Sequence, residues 1–386
     1  TFMDTEYQFT WVDSDVSLTA MVEALQNEPL LAVDTEFMRT DTYYPIVGLI
    51  QVAGPGGIYL VDPLALSTLE PLRCLFYGEQ LEAIVLHSCS EDLEVFKTLW
   101  QAVPTRVFDT QIAAAHLNLE RQPSLQKLLA ILLGVDLPKD ETRSNWLQRP
   151  LTDNQKQYAA LDVAYLLATY KTLVEKLESL GRVSWVEEDC QTLTDKYSAS
   201  IDFDNLYQSV GSAWKLNTQQ LAVLKSIVAW RDRTAIEKNR PKGHVLKDAT
   251  LFEIAERMPK TRNAVAQCEA VSPGQAKRFG DVLAAMVVDV CSQDSASYPG
   301  LLDKPFNRAH KALAKQMKDI AEKTAAVLGM PTERLASRKL LERYAKAKLN
   351  DTPIPKELSG WRFDVLVKEL NAVFIAYQNE NGNGVA

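Results

Sequence analysis

The feature that most restricts how this chain can fold is a change of hydrophobic period partway along it. From Pro29 to Ser88 the apolar residues come in short runs: Leu30 to Val33, Val47 to Ala53, Ile58 to Val61 and Ala83 to Leu86. Such runs, bounded by turn residues, predict buried strands, and Gly54-Pro55-Gly56-Gly57 between the second and third predicts a hairpin. From Glu91 to Leu180 the spacing becomes helical. Pro104, Pro123, Pro138 and Pro150 interrupt it, each predicting a helix boundary because proline has no amide hydrogen to donate. The pattern lapses around Ser198 to Asn205; beyond that point strand signals vanish and amphipathic helices run to the end, with a second lapse from Ser292 to Gly300. A length of 386 residues exceeds one ordinary core. The expectation is an α/β domain over 1–205, with a mixed central sheet flanked by helices, then two all-helical domains over 211–292 and 298–380.

Charge divides along the same line. Residues 1–200 hold 14 Lys+Arg against 29 Asp+Glu, a net of −15, and residues 201–386 hold 28 against 21, a net of +7. An acidic half suited to cations is therefore joined to a basic half suited to phosphates, which the overall −8 conceals. The five cysteines are scattered without a Cys-x-x-Cys pair, so neither a disulfide framework nor a zinc site is expected. No apolar run reaches the roughly 18–20 residues of a membrane span, and no basic-then-apolar leader is visible, so a cytoplasmic location without membrane contact is expected.

Three acidic signals stand out. In Val33-Asp34-Thr35-Glu36-Phe37 the two acids are two apart, so on a strand their carboxylates share one side while Thr35 faces the other. In Leu86-His87-Ser88-Cys89-Ser90-Glu91-Asp92 a strand passes into a helix, with Ser88 or Ser90 the expected N-cap and Asp92 in the first turn. In Gln157-Tyr158-Ala159-Ala160-Leu161-Asp162, within a helix opened by the capping-box pattern Thr152-x-x-Gln155, Tyr158 and Asp162 stack on one face. Taken singly, each has an ordinary structural explanation: exposed strand-end acids, a dipole-favoured acid, a half-buried aromatic beside a carboxylate. Together they supply hard oxygen ligands for magnesium or manganese.

The order Asp34-x-Glu36, His87-x4-Asp92, Tyr158-x3-Asp162 resembles the three exonuclease motifs of the DEDD superfamily in its tyrosine form. The surrounding stretches, with Trp146-Leu147-x-Arg149-Pro150-Leu151-Thr152, resemble the bacterial ribonuclease D family, and the likeness covers nearly the whole chain. The resemblance implies a ribonuclease H-like exonuclease domain followed by two HRDC-type helical domains. It implies a 3′→5′ exoribonuclease that uses two divalent ions, Mg2+ or Mn2+, held by Asp34, Glu36, Asp92 and Asp162, with Tyr158 orienting the attacking water. The implied substrate is the 3′ end of RNA, such as precursor transfer RNA, acted on by a monomer with no obligatory protein partner. A 3′→5′ exonuclease acting on DNA, and a non-catalytic nucleic-acid scaffold, are the competing readings.

Around this set, Phe37 and Met38 are candidates to pack on a terminal base or to enter the core, and His87 to touch substrate or to sit satisfied in the core. Trp146 and Arg149 are candidates to order the approach to the third motif or simply to pack its loop. In the first helical domain Trp230 is expected in the core and Arg231 on the helix surface, with Arg231 and Lys242 candidate phosphate contacts. Lys304 to Lys348 carries twelve basic residues against four acidic ones, a composition suited to holding an RNA backbone without reading its sequence.

Overall fold

The computed structural model describes residues 7–137, 144–305 and 308–382; Pro138, expected to bound a helix, lies outside them. The described residues form one six-stranded sheet, in the order β1-β4-β3-β2-β5-β6. Its strands are β1 (Thr10–Val12), β2 (Leu30–Met38), β3 (Ile46–Gly54), β4 (Gly57–Val61), β5 (Ala83–Leu86) and β6 (Val107–Asp109). The sheet is mixed: β2, β3 and β4 are antiparallel, with the expected hairpin between β3 and β4, while β1, β5 and β6 join in parallel. The edge strands β1 and β6, three residues each, are too short to show a period of two and escape a reading of the sequence.

Strand β2 runs through its acids and ends at Met38, so Asp34 and Glu36 lie within the strand and not just past its end. Its alternation divides the core. Leu31 and Val33 face α1 (Asp15–Leu25), α2 (Glu70–Phe76) and α3 (Ser90–Trp100), packing with Leu18, Leu72 and Phe96. Ala32 faces the opposite layer, which comprises α4 (Thr110–His116), α5 (Leu125–Leu133), α6 (Asp153–Ala164), α7 (Leu166–Ser179) and α8 (Val183–Ser198), and packs with Ala113, Leu173 and Val186. On that same side Leu49 of β3 and Leu60 of β4 lie against Ala159 and Ala160 of α6.

The chain forms two compact units. One comprises residues 1–38, 46–198 and 306–386; the other comprises 39–45 and 199–305. The second unit holds α9 (Thr218–Glu237), α10 (Lys242–Val245), α11 (Asp248–Arg257), α12 (Arg262–Ala266) and α13 (Pro273–Ser292) around a core of Leu221, Leu224, Leu251, Ile254 and Leu283. Trp230 packs against this core, meeting the Phe279 ring edge-on at 5.2 Å. Arg231 corrects an expectation. It is buried, with its guanidinium 2.8 Å from Asp232 and 2.6 Å from Asp248, because a buried Asp232 demands a cation beside it. Lys242 is drawn to the same carboxylate, at 2.6 Å.

The first unit also contains the last helices, α14 (Arg308–Leu328), α15 (Thr332–Leu335), α16 (Arg338–Leu349) and α17 (Lys368–Gly382). Leu313, Met317, Ala321 and Ala325, one turn apart on α14, pack with Tyr344 and Trp361. Against the sheet-bearing part of the unit these helices are held by Asp189 of α8. Its buried carboxylate accepts from Arg362 at 2.6 and 3.1 Å, His116 at 2.9 Å, Arg334 at 3.1 Å and the Trp361 indole at 3.2 Å. Trp185 stacks on Trp361 with 4.5 Å between centroids. No helix among the described residues is long and apolar enough to cross a membrane.

Candidate active site

Strand alternation puts Asp34 and Glu36 on the α6 side of the sheet, and α6 brings Asp162. Carboxylate oxygens of these three lie within 4.8 Å of one another. The helix that carries Asp162 begins with the expected capping box, Thr152 accepting from the Gln155 amide and Gln155 accepting from that of Thr152. The approach to it is clamped. Arg149 makes a two-pronged pair with Asp62, at 2.8 and 2.7 Å, and donates to the carbonyls of Trp146 and Gly48. Gly48 sits where the β2–β3 register slips, and a Cβ there would come within 2.5 Å of the Trp146 carbonyl oxygen, so only glycine admits this crossing. Trp146 is buried, its ring 6.2 Å from that of Tyr158 and tilted by 35°, so the clamp ends on the tyrosine of the third motif.

Asp92 arrives from the other face. It lies outside the three-way cluster but close enough to push up the pKa of both Asp34 and Glu36. Thr35, facing α3 as alternation requires, donates its hydroxyl to Asp92 at 2.5 Å. Sequence spacing assigns Thr35 only a direction; the contact depends on where α3 lands. The turn before α3 also differs from expectation. The N-cap is Cys89 with no side-chain bond, and neither Ser88 nor Ser90 caps. Asp109, at the end of β6, accepts instead from the amides of Ser88 at 3.0 Å and Cys89 at 2.9 Å, and also caps α4. Ser88 takes a left-handed φ of 59° there, so a distant carboxylate secures the backbone that presents Asp92.

The electrostatics follow from burial and crowding. Burial, then the charges of Asp92, Asp162 and Glu36, push the Asp34 carboxyl well above the usual range. Burial, then Asp162 and Asp92, push Glu36 up to about 9. Burial raises Asp92 to about 7 against the Thr35 bond that lowers it. Two carboxylates about 4 Å apart repel by roughly 4 kcal/mol at an effective dielectric of 20, so these acids ionise together only around cations. The donor set is all hard oxygen, which suits magnesium or manganese.

The remaining candidates divide. The two ring nitrogens of His87 are engaged, 2.8 Å from the Thr110 hydroxyl and 2.9 Å from the Pro123 carbonyl, which is the arrangement of a satisfied core histidine. Phe37 packs against the core on the α3 side. Met38, half-buried at the strand end, alternates onto the side of the acids. A further residue was missed: Gln51 of β3 pairs with Asp34 in the strand register and is fully buried. It showed no sequence signal beyond being polar in an apolar run. An unpartnered buried polar group costs about 1–3 kcal/mol, yet neither atom of its amide makes a hydrogen bond of normal geometry, the nearest acceptor being the Glu36 carboxyl that it acts on.

Comparison with known proteins places this site in context. Residues 9–178 match the family model of a 3′-5′ exonuclease and residues 220–287 that of an HRDC domain. The chain is thus a 3′-5′ exonuclease with an HRDC domain, of a class that works with divalent metal. Ribonuclease D of Pseudomonas paraeruginosa is 38% identical over 357 residues, covering 92% of this chain and 94% of that one. Ribonuclease D of Escherichia coli is 30% identical over 374 residues, covering 96% and 99%. The crystal structure of the Escherichia coli protein, described as an exoribonuclease involved in structured RNA processing, superposes with a TM-score of 0.90 at 28% identity, covering 96% and 99% of the two chains. This chain belongs to the ribonuclease D family.

Proposed function

We propose that the chain removes nucleotides one at a time from the 3′ end of structured RNA, precursor transfer RNA being the natural kind, and releases nucleoside 5′-monophosphates. The observation that carries this reading is the convergence of Asp34, Glu36 and Asp162 to within 4.8 Å, with Asp92 close enough to perturb them. These four acids would hold two divalent ions, Mg2+ or Mn2+. When bound, such ions supply a nucleophilic water and neutralise the charge of the departing 3′-oxygen. Tyr158, one turn before Asp162 and braced by Trp146, orients the attacking water through its hydroxyl; a phenol of pKa near 10 suits orientation better than proton abstraction. Met38 offers the apolar surface next to Glu36 on which a terminal base can rest. Lys311, Lys315 and Lys323 stand exposed on α14 opposite its buried stripe, suited to phosphates without regard to sequence.

The last helices read as a second, divergent HRDC-type domain. In the second unit a long helix (α9) leads to Pro241, a four-residue helix, an extended residue at Leu246 and a ten-residue helix. In α14 to α16 the same sequence recurs: a long helix, Pro331, a four-residue helix, an extended residue at Ala336 and a twelve-residue helix. That correspondence supports a diverged duplication.

The test is incubation with 5′-labelled precursor transfer RNA and a DNA strand of matching sequence, with and without chelator. A ladder of single-nucleotide steps on RNA, abolished by chelator and regained with Mn2+, is expected. Preference for the DNA strand, or activity in chelator, would overturn the reading.

A further inference from the structure

Gln51 has no part in the reading above, yet its place is unusual. It sits directly across from Asp34 in the antiparallel pair of β2 and β3, so the two side chains lie side by side on one face. Glu36, two residues on, is its diagonal neighbour, and the amide lies close enough to Glu36 to lower that carboxyl's pKa. The flanking residues on the same face, Leu49 and Ala53, are apolar and buried, as is Leu60 across from Gln51 on β4. A leucine or methionine would fill this position without leaving an unpartnered group. The chain places there a fully buried amide that makes no hydrogen bond of normal geometry at either atom and reaches only Glu36 closely enough to act on it.

A fully buried amide that lies beside Asp34 and Glu36 without a well-formed bond gains one when a small shift of those carboxylates brings an oxygen within its reach, as gathering around cations would. The amide therefore interacts differently with the two arrangements of the acids, and a group that interacts differently with two states shifts the balance between them. We propose that Gln51 is a positioning residue for the metal ligands: its amide donates to the carboxylates of Asp34 and Glu36 as these gather around divalent cations, favouring the loaded arrangement of the acids. This rests on the reading of the four acids as metal ligands. Groups that hydrogen-bond to ligating side chains in this manner typically change metal affinity by about 10- to 100-fold when removed. Gln51 acts through Asp34 and Glu36 and needs no contact with RNA.

The test uses the full chain freed of metal by chelation and dialysis. Mn2+ is titrated calorimetrically into wild type, Gln51→Met, Gln51→Leu and Asp34→Asn, alongside melting temperatures in chelator and turnover as a function of Mn2+. Wild type is expected to bind Mn2+ and Asp34→Asn to lose at least one ion. Both Gln51 variants are expected to bind about tenfold or more weakly, to melt in chelator at or above the wild-type temperature, and to regain near-wild-type kcat as Mn2+ is raised. Mn2+ affinity within about twofold of wild type in both variants would overturn the proposal. So would a collapse of melting temperature in chelator for both, which would assign Gln51 to packing alone. Equal Mn2+ binding by wild type and Asp34→Asn would instead sink the assignment of the acids, a separate and recognisable result.

Discussion

Asp34, Glu36 and Asp92 carry carboxyl groups whose pKa values all lie above the ordinary range, those of Glu36 and Asp92 at about 9 and about 7. With these acids as the proposed metal ligands, protons compete with cations for the same oxygens. At limiting Mn2+, hydrolysis should rise as pH increases from about 6 to 9, and saturating Mn2+ should move that rise to lower pH; a profile indifferent to Mn2+ would contradict the assignment. Stability carries the opposite sign. These folded-state values lie above the unfolded ones, near 4, so the acids' contribution is intact below about pH 4 and is lost as pH rises toward the folded values. In chelator the protein should thus lose stability from these acids as pH rises from about 4 to 9, Asp92 contributing up to about 7 and Glu36 up to about 9, and Mn2+ should restore it. Tyr158→Phe should lower kcat by roughly 10- to 100-fold, the cost of misplacing a reactant, with RNA affinity within about twofold of wild type. A matching loss of affinity would make Tyr158 a binding residue.

At the scale of elements, what was legible in the sequence was what local spacing encodes. Asp34 and Glu36 share a face because strands alternate, Tyr158 and Asp162 because helices turn, and Thr152 with Gln155 announced the helix that carries them. What was not legible depends on where one element meets another. Thr35 holds Asp92 across the strand, Asp109 grips the turn 20 residues before it, and Arg149 reaches 87 residues back to Asp62. Arg231 failed as a surface cation for the same reason, since its partner Asp232 gives no hint in the sequence of being buried. Asp189 is the largest case. Burial alone would raise its pKa, but bonds from His116 and Arg362 outweigh this and hold it well below the usual carboxylate range. Its contribution is therefore present above about pH 4 and is lost as pH falls through the depressed folded value. Asp189→Asn leaves Arg334 and Arg362 without their carboxylate and should cost about 3–5 kcal/mol, read as a lower melting temperature and faster hydrogen exchange in α14 to α17. Unchanged exchange there would show that apolar packing alone holds those helices.

Across the whole molecule, the split between acidic and basic halves was visible at once, but the grouping of the helices was not. The final helices belong to the same compact unit as the sheet, so removing them would strip Asp189 and Trp185 of their partners as well as removing cations. Substitution isolates the electrostatic part better than truncation does. Changing Lys311, Lys315 and Lys323 to alanine together should weaken binding of structured RNA and flatten its logarithmic salt dependence by roughly 0.7–0.9 for each phosphate that no longer meets a lysine, while kcat on a short oligonucleotide stays near wild type. An unaltered salt slope would remove α14 from the RNA-binding surface.

The proposed catalysis depends on four acids from three separated stretches of chain gathering cations at an RNA 3′ end, and anomalous diffraction from crystals soaked in Mn2+ with a non-hydrolysable RNA tests this directly. Two manganese peaks coordinated by Asp34, Glu36, Asp92 and Asp162, beside the terminal phosphodiester, are predicted. Manganese bound elsewhere with none among these side chains, or RNA seated with its 3′ end away from them, would contradict it.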